Sequence, residues 1–322
     1  MRRYTKMWSL VGIMATAMQG CSLFFSASGE QCRSDQDCLA RGPGFAGSKC
    51  SPDFTCTSDD GGSPVDASTL SDASNADATA DPFACASDPI ASPDPTRKVN
   101  LSIKYLNFTD GLPPNSLAVR LCSQTDPQCN NPRGTLEGNG TADVGADAGS
   151  GFVNAKVDGT VTSAVEVGFE GYLEVRSPNI IPAFRYTSPP LKQSTTFESL
   201  VFRPSEVTFL IDSATGKPNS TELQNHGIVF LFARDCNRRP LSGVSFTTTA
   251  TDPIMQLLYI INTTPSTTER QTDGSGRGGF LNAPPGLHTF TAFFEATKQR
   301  IGSVRVFVRA GGATSVDILP SP

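Results

Sequence analysis

From Val99 to its C-terminus the chain is interrupted every few residues by glycine, proline, asparagine or aspartate, and the runs between these breaks are short and apolar. Runs of this length, rich in β-branched and aromatic residues, fit strands. A helix would need an apolar period of about 3.6 residues sustained over several turns. The clearest strand candidates are Val99–Leu106, Leu117–Cys122, Tyr172–Arg176 and Val207–Ile211. They continue with Ile228–Phe232, Val244–Thr248, Leu257–Ile261, His288–Phe294, Val304–Val308 and Val316–Leu319. Val304, Val306 and Val308 alternate with Arg305 and Arg309, the pattern of a strand with one buried face. No amphipathic helix is expected. The fold class that follows is all-β, with two tandem β-sandwiches of roughly 100 residues each over 99–213 and 225–320.

At 322 residues and 38% hydrophobic content the chain has material for real cores. Only 18% of its residues are charged, and the net charge is -5. No basic field exists to attract phosphates, so nucleic acid is not an expected partner. The apolar runs of the β region, such as Leu257–Ile261, are strand-sized, so no membrane-spanning helix is expected in it.

The N-terminus differs from everything that follows. Arg2, Arg3 and Lys6 precede the 12-residue apolar stretch Met7–Met18, which is too short to span a bilayer as a helix. The run Met18-Gln19-Gly20-Cys21 resembles the lipobox of bacterial lipoproteins, with its match at Gly20 and Cys21. That resemblance implies that residues 1–20 are removed and that Cys21 is acylated, with 21–31 as a lipidated tether. The chain would then meet the membrane through lipid alone, and more than one acyl chain is needed for firm anchoring. Ser22 stands where an aspartate signals inner-membrane retention, so the resemblance implies the outer membrane if the cell has one.

Without Cys21, eight of the nine cysteines remain, an even number that fits a disulfide framework in an exported chain. Cys32, Cys38, Cys50 and Cys56 fall in a 25-residue segment with few apolar residues, where disulfides must replace a core. Within each pair, Cys32–Cys38 and Cys50–Cys56, the gap is five residues, wider than the gaps of about two to four that zinc sites favour, so no metal is expected. The stretch Cys32–Cys38 is similar to short cysteine-rich modules near the N-termini of surface proteins, including lipoproteins of myxobacteria. From Thr57 the composition falls to Ser, Asp, Ala, Gly and Thr, and 57–98 reads as a disordered linker. Cys122 and Cys129 flank a turn-rich hexapeptide, which a local disulfide would close. Cys85 and Cys236 then pair by default, although sequence alone does not choose among the many possible pairings.

The second half resembles a carboxypeptidase-regulatory-type, or transthyretin-like, β-sandwich. The matching pieces are Ile228–Phe232, Pro240–Val244, Thr272-Asp273 with Gly276 and Gly279-Phe280, Pro284–His288, and Val316–Ile318. In this reading Thr272–Gly279 is a flexible hairpin tip and Pro285-Gly286 turns the chain back into the sheet. A fainter copy spans 99–213, carried by Leu112–Leu117 and Gly168–Leu173, with a glycine-rich hairpin at Gly134–Gly151. In this family the module is a non-catalytic accessory or binding unit, so the resemblance implies a fold and no active-site residues.

Catalytic constellations are not recognisable in the sequence. His226 and His288 lie in no metal-binding helix motif and fit sheet-edge positions. Gly274–Gly279 lacks the Lys-Ser/Thr ending of a phosphate loop. Asp143 and Asp147 are calcium candidates by residue type, but a solvated loop explains them better. Arg234, Arg238 and Arg239 are the candidate contacts for an anionic sugar or a carboxylate. The expected function is a cell-envelope lipoprotein, not an enzyme, whose β-sandwiches act as a non-catalytic binding or structural module at the surface, with polysaccharide or another envelope protein as the candidate partner. No cofactor is expected. The alternative is an envelope-anchored hydrolase with an unrecognised carboxylate site.

Overall fold

The computed structural model describes residues 34, 36, 48–50, 56–58, 81–140, 151–216 and 223–321. The chain separates into two units, Met1–Ala76 and Asp77–Pro322. Within the first, β1 (Ser48–Cys50) and β2 (Cys56–Ser58) pair antiparallel, with Cys50 opposite Cys56. Cys50 is disulfide-bonded.

Among its described residues the second unit is all-β with one α-helix. Its strands begin with β3 (Asp94–Asn107), β4 (Ala118–Ser123), β5 (Leu136–Glu137), β6 (Val153–Asn154), β7 (Thr160–Val167), β8 (Gly171–Arg176), β9 (Ala183–Thr187) and β10 (Thr195–Val201). Helix α1 (Pro204–Thr215) follows. The chain continues through β11 (Gly227–Ala233), β12 (Val244–Thr248), β13 (Gln256–Ile261), β14 (Thr264–Ser266), β15 (Arg277–Ala283), β16 (Gly286–Phe294), β17 (Gln299–Val308) and β18 (Ala313–Ile318).

The two sandwiches share a sheet. Nine strands run in the order β14-β13-β15-β11-β18-β9-β8-β4-β6, and the halves join where β18 pairs parallel to β9, with Ser315 opposite Arg185. A four-stranded sheet, β10-β3-β7-β5, covers one face of the N-terminal half, while the three-stranded sheet β12-β16-β17 covers the opposite face of the C-terminal half. Strand β9 shows why this arrangement is stable. All five of its residues are buried: Ala183 faces the first core with Ile103 and Val119, whereas Phe184 and Tyr186 face the second with Val306 and Val316. A strand covered on both faces carries a near-continuous apolar run, as Ala183–Thr187 does apart from one charge.

Arg309 fastens the halves on the second-core side. Its guanidinium lies over the rings of Phe184 (4.0 Å) and Tyr172 (4.5 Å) and donates to the Pro127 carbonyl at 2.5 Å and the Phe307 carbonyl at 3.1 Å. The same edge of β17 is closed by Gln124, which donates to the Arg305 carbonyl, and by Tyr186, whose hydroxyl accepts the Phe307 N–H. These bonds occupy backbone groups that an open edge would offer to another chain.

Three expectations are corrected. Val207–Ile211 is not a strand but the middle of α1. Pro204 presets the first turn, Glu206 accepts the Arg203 N–H at 2.7 Å, and Gly216 ends the helix in the left-handed region at φ 64°. Val207, Leu210 and Ile211 lie on one helical face and pack on Ile228, Phe230 and Leu258, so tertiary burial outweighs the β propensity of the run. Within the expected linker 57–98, Thr57 and Ser58 belong to β2, and the described residues from Asp81 onward form a 3-10 turn at Ala84–Ser87 and the start of β3 at Asp94. Glycine-rich Arg277–Ala283, expected in part as a flexible tip, is a strand paired on both sides.

Candidate binding site

A buried group of charges sits where the sandwiches meet. Parallel pairing of β9 and β18 brings Arg185 and Asp317 to one face of the long sheet, and β11 delivers Arg234 just beyond its end. Arg185 Nη2 donates to Asp317 Oδ2 at 2.6 Å, and both side chains are almost fully buried. Arg234 and Arg238 approach the same carboxylate at 3.6 and 3.8 Å. Two phenylalanines interleave with the three guanidinium groups: Phe197 lies 5.1 Å from both Arg185 and Arg238, and Phe232 lies within 5.6 Å of Arg185 and Arg234. Cations over ring faces gain electrostatic attraction without a hydrogen-bond acceptor.

The charge does not balance. Three arginines meet one aspartate, and Arg185 Nε, Arg185 Nη1, Arg238 Nη1 and Asp317 Oδ1 are buried without a hydrogen-bond partner among the described residues. Burial pushes the Asp317 carboxyl up, but Arg185, Arg234 and Arg238 together bring it below its ordinary value. Burial likewise pulls Arg238 down, Asp317 opposes this, and the other two arginines add to it. Asp235 Oδ1 accepts the N–H groups of Asn237 and Arg239 at 2.8 and 2.7 Å, which closes the turn that carries Arg238. This turn holds Arg238 at φ 63°, a conformation that costs an ordinary residue about 1 kcal/mol or more.

Arg238 opens onto a cleft of about 270 Å³ whose walls include Ile90, Pro189, Pro190, Leu319 and Pro320, with Lys192 on its rim. Lys192 lies 3.6 Å from Asp88 in a half-exposed pair of the kind that contributes little stability. The disulfide between Cys85 and Cys236 forms part of the lining and closes 151 residues of chain. Pro82 accepts the Cys236 N–H, and Phe83 packs edge-on against Phe294, so the entering segment is fixed to the C-terminal sandwich.

The residues singled out in the sequence are thus divided. Arg234 and Arg238 belong to the seam, whereas Arg239 is exposed and contributes its backbone N–H to the Asp235 turn. Cys122 and Cys129 are bonded, closing the hexapeptide as expected, and Cys85 is bonded to Cys236. Cys21, Cys32, Cys38, Asp143 and Asp147 lie outside the described residues. His226 faces Asp252 at 3.2 Å, and His288 Nε2 lies 2.9 Å from the Pro284 carbonyl oxygen. Among the described residues, Cys122, Cys129 and Glu174 form a group with metal-ligand spacing. Its sulfurs are spent in the disulfide, and Glu174 is held by Arg120 and Arg176 at 2.7 and 2.6 Å. The residues that sequence reasoning missed are Arg185 and Asp317. Each is a lone charge inside an apolar strand, and that pattern was the available signal.

No family model and no curated protein matches the chain. Among solved structures it is similar to the Bacillus anthracis TIE protein, at 10% identity over 70% of this chain and 34% of that one, with a TM-score of 0.21. This chain therefore spans about a third of that protein's length. It is also similar to the shaft pilin SpaA from Lactobacillus rhamnosus GG, at 11% identity over 72% and 98% of the two chains and a TM-score of 0.20. For GBS52, the minor pilin of Streptococcus agalactiae, the identity is 11% over 70% and 98%, and the TM-score is 0.19. At such scores these likenesses establish neither a family nor a function.

Proposed function

We propose that this chain is an exported protein, tethered to the cell envelope through acylated Cys21, whose β-sandwiches act as a non-catalytic binding module. The observation that carries the binding reading is the cleft at the seam, whose polar groups are suited to gripping. Arg238, Lys192, Gln193 and Thr195 line it, and its carboxylate, Asp88, is paired with Lys192. A glycosidase-like or other carboxylate hydrolase needs two carboxyl groups facing one space, about 5–10 Å apart, and this cleft gathers one.

Export is supported by the cysteines. Cys85–Cys236 and Cys122–Cys129 are disulfides, and such bonds persist in oxidising compartments. Among the described residues no helix is long and apolar enough to cross a membrane. Attachment therefore rests on the lipobox-like Gly20-Cys21 and on the even cysteine count that remains without Cys21.

Labelled palmitate tests the anchoring. The wild type should incorporate label and sediment with membranes, and Cys21→Ala should lose the label and become soluble. A Cys21→Ala protein that still fractionates with membranes contradicts the anchor. Turnover of a glycan, ester or peptide substrate that disappears on changing one carboxylate contradicts the non-catalytic reading.

A further inference from the structure

The seam carries more positive charge than the protein neutralises. Arg185, Arg234 and Arg238 surround Asp317, which leaves a net charge of about +2 in a region where charges ordinarily require partners. Arg185 and Asp317 are buried, whereas Arg238 retains a third of its side-chain exposure and faces the cleft. Among the three seam arginines Arg238 is therefore the one that an anion entering the cleft meets, and Lys192 shares the lining.

The walls select among anions. Ile90, Pro189, Pro190, Leu319 and Pro320 are aliphatic, and no aromatic ring lines the cleft, so a sugar has no platform to stack on. An inorganic oxyanion would leave the apolar walls unused. The volume, about 270 Å³, lies just under the range of about 300–1,000 Å³ typical of pockets that enclose whole small ligands. It suits one or two side chains of a larger partner. Arginine's planar fork matches a carboxylate in two parallel hydrogen bonds. The left-handed Arg238 and the Cys85–Cys236 disulfide hold the cation in place before the partner arrives, which lowers the entropic cost of binding.

We propose that the cleft at the seam is a carboxylate-binding site, in which Arg238 and Lys192 grip an acidic side chain of a protein partner between the walls formed by Pro189, Pro190 and Pro320. The assignment deepens the binding reading above and rests on it, but it fails separately, because lipid labelling and turnover do not depend on Arg238.

Fluorescein-labelled decaglutamate is the probe, titrated into the full chain carrying Cys21→Ala and followed by fluorescence anisotropy. Arg238→Gln should weaken binding about tenfold or more, and exposed Lys192→Gln should weaken it a few-fold, with circular dichroism unchanged. Decagalacturonate and inorganic phosphate should compete poorly. The assignment is overturned if decaglutamate does not bind, if both variants bind it as the parent does, or if decagalacturonate or millimolar phosphate displaces it efficiently. Should Arg238→Gln unfold the chain, Lys192→Gln decides alone, since its side chain is half-exposed and its loss leaves the core intact.

Discussion

Asp317 is the residue on which the seam depends, because its buried carboxylate faces three guanidinium groups, one of them, that of Arg185, buried with it. Removing its charge leaves three arginines without a counter-ion, and breaking a buried pair in this way costs about 3–5 kcal/mol. Asp317→Asn should therefore lower the urea midpoint sharply without changing the slope of the transition. The pH dependence has a definite sign. A carboxyl whose folded pKa lies below its unfolded value contributes stability that is fully present above the unfolded value and is lost as pH falls through the folded one. The ordinary value is 3.8 and the shift is downward, so the contribution of Asp317 disappears below about pH 4. Urea midpoints measured between pH 6 and pH 2.5 should fall more steeply in the wild type than in Asp317→Asn. Parallel curves would mean that the arginines do not hold this carboxylate in its ionised form.

At the scale of elements, Gly279 shows how a strand can be hidden in a sequence. It lies within β15 at φ 155°, and a Cβ there would stand 1.8 Å from the Val229 carbonyl oxygen on β11. The close approach of β11 and β15 requires glycine. Gly279→Ala should cost several kcal/mol, roughly the upper range of single substitutions, and thermal unfolding should detect it; a change below about 1 kcal/mol would show that the strands can part without consequence. The same glycines made Gly274–Gly279 resemble a loop, so a central strand was read in part as a hairpin tip. Strands with clean apolar alternation or runs, such as β11, β12 and β17, were legible. Strand β7 (TVTSAVEV) was not, because its buried face carries the polar Ser163 and its opposite face the apolar Ala164, which blurs the alternation. Helix α1 was misread because five residues, Val207–Ile211, look like a strand when Pro204, Glu206 and Gly216 are not weighed as its boundaries. The candidate site was half legible. Arg234 and Arg238 stood out as a local cluster, but Arg185 and Asp317 are 132 residues apart, and only the parallel pairing of β9 with β18 brings them together.

At the scale of the whole molecule, the central feature is that the second half of the fold completes the sheet of the first. Ordinary tandem sandwiches are joined by a linker and unfold independently, whereas here β18 and β9 are neighbours in one ladder and β9 supplies side chains to both cores. The Cys85–Cys236 bond reinforces this. In the chain-entropy account, closing a loop of 151 residues contributes about 5 kcal/mol. The cleft, the charged seam and the Arg309 fastening all lie at this junction, so binding there would require the two halves to stay together. Differential scanning calorimetry of the full chain carrying Cys21→Ala tests this directly. The two sandwiches should unfold in a single transition whose calorimetric and van't Hoff enthalpies agree. Two separable transitions, each with the enthalpy of one sandwich, would contradict the account.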